Sequence, residues 1–124
     1  MGASELSIRE LDFEAAAELD GVANIRLSGN ADGTIVTHLT SLIDNLHRRV
    51  VDARTPQVTV DIRTLEFMNA SCFNVFVAWL NLINDLPPAE RYQLQFSINP
   101  AIPWQRRSLR TLSSFATDLV QVVD

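Results

Sequence analysis

The most constraining feature of this sequence is an uncharged stretch that runs from Phe67 to Asn84. It is barely long enough for a helix to cross a bilayer, and polar side chains inside a membrane are costly. Polar residues nevertheless recur along it: Asn69, Ser71, Asn74, Asn81 and Asn84. We therefore expect a helix that is buried in the core of a soluble domain.

Strand-like and helix-like segments alternate around this stretch. Before it, apolar residues at helical spacing between Thr34 and Ala53 predict an amphipathic helix. The β-branched segment QVTVDI then predicts a strand that is buried on both faces. After the stretch, Pro87-Pro88 ends the helix, and RYQLQFSIN alternates polar and apolar residues as a strand does.

The C-terminal segments continue the alternation. WQRRSLRTLSSF places Trp104, Leu109, Leu112 and Phe115 near helical spacing, which predicts a helix with these side chains toward the core. The segment LVQVV predicts a final strand. Trp79 and Trp104 are interpreted as core or near-core aromatic residues.

The N-terminal segment FEAAAELDGVANIRLSG admits two interpretations. Asp20-Gly21 lies between two segments that could pair, which is a signal for a tight β-hairpin. FEAAAEL alone is equally compatible with a short helix. The two interpretations differ in the number of strands that they give the sheet.

Together these elements predict an α/β fold. Strands that alternate with helices imply right-handed crossovers, and we expect a mixed sheet of about four or five strands packed with about three or four helices. All of it is expected to form a single domain over residues 1–124. Apolar residues make up 47% of the sequence and charged residues 20%, a balance typical of globular domains.

Charge and cysteine content exclude several classes of function. A net charge of -5 argues against nucleic acid or an anionic membrane as the main partner. The single cysteine, Cys72, excludes an internal disulfide and a cysteine-based zinc site, and it fits a cytoplasmic protein. His38 and His47 are predicted on a solvated helix face, so we expect no metal site and no cofactor. The later arginines could bind a phosphate or an acidic partner, or form the solvated side of their helix: Arg106, Arg107 and Arg110.

The junction FMNASCF concentrates the residues that could carry chemistry. Asn69 is suited to cap the following helix, which is worth about 1 kcal/mol over Ala. At about 100° per residue, the helix presents one exposed stripe that starts at its first turn, and Cys72 turns toward the core. The stripe consists of Ser71, Asn74, Ala78, Asn81 and Asp85.

Local chemistry leaves several roles open for this junction. Ser71 or Cys72 could be the nucleophile of a small hydrolase, although no basic partner is evident for either. The unpaired N–H groups of the first turn could instead hold an anion, as in a sensor of a small ligand or nucleotide that uses Asn69 to Ser71. A phosphorylation switch and a simple helix cap are the other roles.

The segment VTVDIRTLEFMNASCFNVFVAWLNLI resembles the centre of the STAS domain, the fold of bacterial anti-sigma-factor antagonists. The family pattern is a strand, Asp-Leu, a few residues, Phe-Met/Ile-Asp-Ser-Ser-Gly and an apolar helix. Upstream, IRLSGNAD is similar to the family's strand followed by Gly-Glu-Leu/Ile-Asp. The resemblance extends from about Val22 to the C-terminus and implies a STAS-like domain.

The resemblance implies a non-enzymatic, protein-binding role in bacterial signalling. In that family the antagonist binds an anti-sigma factor that is also a serine kinase, and phosphorylation of the first Ser in Asp-Ser-Ser-Gly breaks the complex. Here Asn69, Ala70, Ser71 and Cys72 stand at the four positions of that motif. Because Ala70 has no hydroxyl, we expect no phosphorylation at the usual position, and Ser71 is the remaining candidate acceptor.

The implied partner surface combines this junction with the upstream motif. Asp32 matches the Asp of that motif, whereas Asn30 and Ala31 replace the usual Glu and Leu or Ile. The residues expected to contact a partner are Asn30, Asp32, Asn69, Ala70, Ser71 and Asn74. The expected partner is an anti-sigma factor or a serine-kinase-type regulator, or another STAS protein, and a homodimer is a further alternative.

Overall fold

The computed structural model of the protein describes residues 6–10, 12–20 and 22–124. Its strands are β1 (Ser7–Glu10), β2 (Phe13–Leu19), β3 (Ala23–Ala31), β4 (Gln57–Met68), β5 (Gln93–Ser97) and β6 (Val120–Val123). Its α-helices are α1 (Val36–Ala53), α2 (Ala70–Asn84) and α3 (Pro103–Ser113). Short 3-10 helices cover Gly33–Ile35 and Pro88–Glu90.

The strands form one mixed sheet in the order β1-β2-β3-β4-β5-β6. The strands β1, β2 and β3 pair antiparallel, and β3, β4, β5 and β6 pair parallel. A helix connects each parallel pair, so the predicted mixed α/β class is confirmed. The sheet has six strands among the described residues, rather than about four or five. The additional strand, β1, has the sequence SIRE, whose single apolar residue gives no recognisable strand pattern.

The hairpin interpretation of the N-terminal segment is confirmed. FEAAAEL is strand β2, which pairs with β3 so that Leu19 lies opposite Ala23. Gly21, part of the predicted turn signal, lies outside the described residues. Alanine favours helices, but Phe13, Ala15 and Ala17 alternate with exposed residues and are buried in the core. Burial of that alternating face outweighs the helical propensity.

All three helices lie on one face of the sheet. Right-handed crossovers between strands that follow one another in sequence order place every connecting helix on the same side. In β4, Val58, Val60 and Ile62 are buried, whereas Thr59 and Asp61 on the other face are half-buried. The prediction that this strand is buried on both faces is therefore wrong, because no described helix covers its second face.

The uncharged stretch forms the end of β4 and helix α2. Phe76, Trp79, Leu80 and Ile83 of this helix are buried against the rest of the core. No described helix is both long and apolar enough to span a membrane.

Helix α3 begins at Pro103, one residue before its predicted segment, and ends within that segment at Ser113. Leu109 and Leu112 are buried, and Trp104 is half-buried, as the helical spacing indicated. Phe115 was predicted to face the core, but the helix ends at Ser113 and Phe115 is 57% exposed. Two residues beyond the helix end, the helical spacing no longer sets the direction of its side chain.

Two register shifts in the pairing of β3 with β4 each give β4 one extra residue. They follow Arg26 and Gly29, and the carbonyl groups of β4 beside them need other partners. The buried Gln105 Nε2 donates to the oxygens of Ile62 and Leu65 at 2.6 and 2.9 Å. Trp104 Nε1 donates to the oxygen of Glu66 at 2.8 Å. These hydrogen bonds hold the first turn of α3 against the irregular part of β4.

A hydrogen-bonded chain links α1, α2 and the start of β5. Trp79 Nε1 donates to the hydroxyl oxygen of Tyr92 at 2.7 Å, and this oxygen lies 2.6 Å from Nδ1 of His47. With the oxygen already accepting from Trp79, the hydroxyl proton can be donated to a neutral His47 ring. The prediction of a solvated His47 is therefore wrong. His38 is exposed as predicted, with its Nε2 3.9 Å from a carboxylate oxygen of Glu10.

Acidification below about pH 6.5 is expected to destabilise the protein through His47. Burial lowers the pKa of His47 from 6.5, and the nearby Asp44 carboxylate opposes this only in part. The folded state thus binds the proton more weakly than the unfolded state. The contribution of neutral His47 to the unfolding free energy is complete above about pH 6.5. It is lost as the pH falls through the lowered pKa of the folded state.

Urea unfolding of the wild type and His47→Gln at several pH values between about 5 and 7.5 checks this expectation. Glutamine can still accept from Tyr92 through its amide oxygen but does not titrate. The unfolding free energy of the variant should therefore fall less steeply on acidification. Equal pH dependence in the two proteins would contradict the assignment to His47.

Candidate functional site

The site predicted from the sequence lies where β4 passes into α2. Asn69 caps the helix as predicted: its side-chain oxygen accepts from the backbone N–H of Cys72 at 3.0 Å. Its own backbone N–H donates to the oxygen of Ala31 at 2.9 Å. These contacts hold the head of α2, defined as Asn69 to Ser71, against the end of β3.

The end of β3 supplies the other part of the site. Asp32 follows this strand and caps the 3-10 helix by accepting from the backbone N–H of Thr34 at 2.9 Å. The Thr34 hydroxyl donates to the same carboxylate oxygen at 2.5 Å. The hydroxyl contact and then the backbone contact lower the pKa of Asp32, so its exposed carboxylate stays ionised at neutral pH.

The fold brings most of the predicted contact residues together. Asn30 pairs with Phe67 near the end of β4, and the Cys72 thiol donates to the backbone oxygen of Asp32 at 3.2 Å. Asn74 lies one helical turn beyond Ala70. Of the six predicted contact residues, four are exposed, and Asn30 and Asn69 are half-buried. Their participation in binding stays a prediction.

The exposed stripe of α2 is arranged as the helical wheel indicated. All of its members are exposed: Ser71, Asn74, Ala78, Asn81 and Asp85. The helical wheel places Phe73 on the wide arc that it predicts to be buried, but Phe73 is only half-buried and packs at the edge of the core. A mainly neutral strip of small polar side chains therefore runs along α2 from its head.

Cys72 is a buried thiol. Its side chain is inaccessible, and burial, with the nearby Asp32 charge as the second cause, raises its pKa to about 11. The start of a helix usually favours a thiolate, but desolvation and a neighbouring carboxylate act in the opposite direction here. The arrangement gives Cys72 a structural role and does not activate it as a nucleophile.

The charges on the β3 side of the site are negative. Glu10, Asp12 and Asp32 line a small cleft beside the end of β3. An anion at the head of α2 would therefore approach ionised Asp32, which weighs against the predicted anion site. Within the part of the chain that the structure describes, no group of three His, Cys, Asp or Glu side chains could hold a metal ion.

On its opposite side, the head of α2 borders a groove that the sequence analysis missed. This α2–α3 groove has a volume of about 250 Å³ and is lined by Met68, Asn69, Ala70, Phe73, Ser108 and Thr111. The spacing of Trp104, Ser108 and Thr111 places them on one side of α3, and that could have indicated a shared face. Which element this face meets depends on the packing of α3.

Three arginines of α3 are exposed, as the solvated-face interpretation requires. Arg106 pairs with the carboxylate of Asp124 at 2.7 Å. Arg107 lies one turn before Thr111, whose hydroxyl donates to the backbone oxygen of Arg107 at 3.3 Å. Arg107 therefore lies beside the α2–α3 groove, and Arg110 lies further out along the same helix.

The fold is similar to that of a solved protein. The crystal structure of an anti-sigma factor antagonist from Mycobacterium paratuberculosis matches with a TM-score of 0.61 and 18% sequence identity. The match covers 88% of this chain and 85% of that chain. No protein-family model and no curated protein matches the sequence. The structural likeness confirms the STAS-like α/β fold expected from the strand, junction and helix pattern.

Proposed function

We propose that this protein is a non-enzymatic binding module of bacterial signalling, similar to anti-sigma factor antagonists and built as a single STAS-like domain. Its binding surface combines the head of α2 with the end of β3. The proposed contact residues are Asn30, Asp32, Asn69, Ala70, Ser71 and Asn74. The observation that carries the proposal is the structural likeness to an anti-sigma factor antagonist.

The proposed partner is an anti-sigma factor or a serine-kinase-type regulator in the cytoplasm. Small, exposed, neutral side chains at the head of α2 can be covered by a protein without burying an unpaired charge. A hydrolase that uses Cys72 as its nucleophile is disfavoured because Cys72 is buried and its pKa is raised to about 11. The ionised Asp32 likewise disfavours an anion or nucleotide sensor at Asn69 to Ser71.

Asn74→Arg is expected to weaken binding of the partner about 10-fold to 100-fold with almost no change in folding stability. Asn74 is exposed on α2, so the arginine is solvated in the free protein. In the complex its charge would be buried against a surface shaped for a neutral amide. Binding to purified serine-kinase-type regulators from the same genome, alongside thermal melting, measures both effects.

Thr117→Arg is the matched control for this experiment. Thr117 is exposed near the start of β6, so the variant adds the same charge outside the proposed surface. It should bind as the wild type does. Purified STAS proteins and a differently tagged copy of the chain serve as further partners in the assay. Absence of binding to every protein tested, or equal binding by Asn74→Arg and the wild type, would reject the proposed function.

The wild-type protein is expected to remain unphosphorylated when a binding kinase and ATP are present. Ala70 has no acceptor hydroxyl, and the hydroxyl of Ser71 lies about 100° further around the helix. Ala70→Ser restores a hydroxyl at the position that carries it in the family pattern and should gain phosphate. Phosphopeptide mapping distinguishes the two sites, with Ala70→Ser combined with Ser71→Ala as control. Stoichiometric phosphate on Ser71 of the wild type would contradict this prediction.

A further inference from the structure

The α2–α3 groove offers a space suited to an apolar side chain. Its volume is about 250 Å³. Met68 and Phe73 line it and are only half-buried, so apolar surface stays in contact with water there. Covering this surface would be favourable through the hydrophobic effect.

The charge beside the groove is opposite to that of the whole protein. The chain has a net charge of -5, yet Arg107 lies next to the groove residue Thr111. Arg106 is paired with Asp124. Among the described residues, no carboxylate forms an ion pair with Arg107 or Arg110. Both side chains are exposed, so both can pair with carboxylates of a partner.

We propose that the α2–α3 groove binds an acidic segment of a partner protein, with one apolar side chain in the groove and a carboxylate on Arg107. This inference rests on the proposed function and specifies the chemistry of the partner. Arginine presents a fork of donors that matches a carboxylate, and an apolar anchor flanked by charge gives a contact both affinity and orientation.

Ala70 belongs to both surfaces, because it lies at the head of α2 and also lines the groove. Its methyl group adds apolar surface to the groove wall beside Met68 and Phe73. A phosphate at this position would bring nearly two negative charges next to the acidic segment and repel it. Because Ala70 cannot be phosphorylated, binding of such a segment cannot be blocked by a phosphate at this position.

Selection from a random 12-residue peptide library on the immobilised protein tests the inference. Thr111→Trp fills the groove from an exposed helix position and serves for counter-selection. We expect enriched peptides with an aliphatic or aromatic residue flanked by Asp or Glu. Their binding should weaken at least 10-fold on Arg107→Glu and on Phe73→Ala, and should weaken with increasing salt.

Arg48→Glu is the matched control, because Arg48 is exposed on α1 and the charge change is the same. Enriched peptides without acidic residues, equal binding by Arg107→Glu and Arg48→Glu, or no enrichment over Thr111→Trp would each overturn the inference. The regulator assay separates the two proposals. A regulator that responds to Asn74→Arg but not to Arg107→Glu would leave the proposed function intact while this inference fails.

Discussion

Gly29→Ala is expected to lower the unfolding free energy by about 4 kcal/mol or more, which is a large part of the stability of a typical domain. Gly29 has a φ of 89°, a conformation that L-amino acids with side chains rarely adopt. A Cβ atom at this position would lie 1.8 Å from the backbone oxygen of Asp12. That oxygen cannot move easily, since it accepts from the N–H of Asn30 at 2.8 Å.

Gly33→Ala is the matched control for this variant. A Cβ atom at Gly33 meets only the side-chain nitrogen of Asn69, at 3.5 Å, which is an ordinary contact. We expect its stability to stay within about 1 kcal/mol of the wild type. Urea unfolding followed by the fluorescence of Trp79 and Trp104 measures both variants. A loss below about 1 kcal/mol for Gly29→Ala would show that β2 and β3 rearrange at little cost.

Gln105→Met is expected to lower the unfolding free energy by about 3 kcal/mol or more. The Gln105 amide group donates to the oxygens of Ile62 and Leu65, and its oxygen accepts from the N–H of Asn99 at 2.7 Å. Methionine has nearly the same shape but no strong donor or acceptor. Buried backbone groups then lose their partners, at about 1–3 kcal/mol for each group left unsatisfied.

Arg110→Met on the exposed side of the same helix is the control, and its stability should change by less than about 0.5 kcal/mol. Because Gln105 fastens α3 to β4, its loss should also loosen the α2–α3 groove. Hydrogen exchange in α3 would report this as faster exchange than in Arg110→Met. Equal stability of the two variants would show that water or a shift of β4 satisfies the carbonyl groups.

The sequence predicted the parts of the fold that depend on near neighbours. The uncharged stretch predicted a buried helix, and Asn69 predicted its start, because a cap bonds to an N–H three residues away. The wheel located the exposed stripe for a similar reason, since the helical period alone decides which residues share a face. The burial of the Cys72 side chain was predicted from the same periodicity.

Other features depended on residues far apart in the sequence. His47 had the spacing of a surface residue, but its partner Tyr92 is 45 positions away. Phe115 continued the pattern of α3, yet the helix had already ended at Ser113. The segment FEAAAEL was ambiguous until its pairing with β3 buried one of its faces. For His47 and for FEAAAEL, tertiary contacts decided between the local alternatives.

Some features of the candidate site likewise follow from local sequence, and others depend on contacts between distant residues. The sequence by itself determined the alternating α/β order, the capped head of α2, and the absence of a hydroxyl at Ala70. Only the tertiary structure decided that the acidic end of β3 lies on one side of this head and the α2–α3 groove with Arg107 on the other. The reason is that Gln105, which fastens α3 beside the head, bonds to Ile62, 43 residues earlier, at an irregularity of β4 that no local pattern encodes.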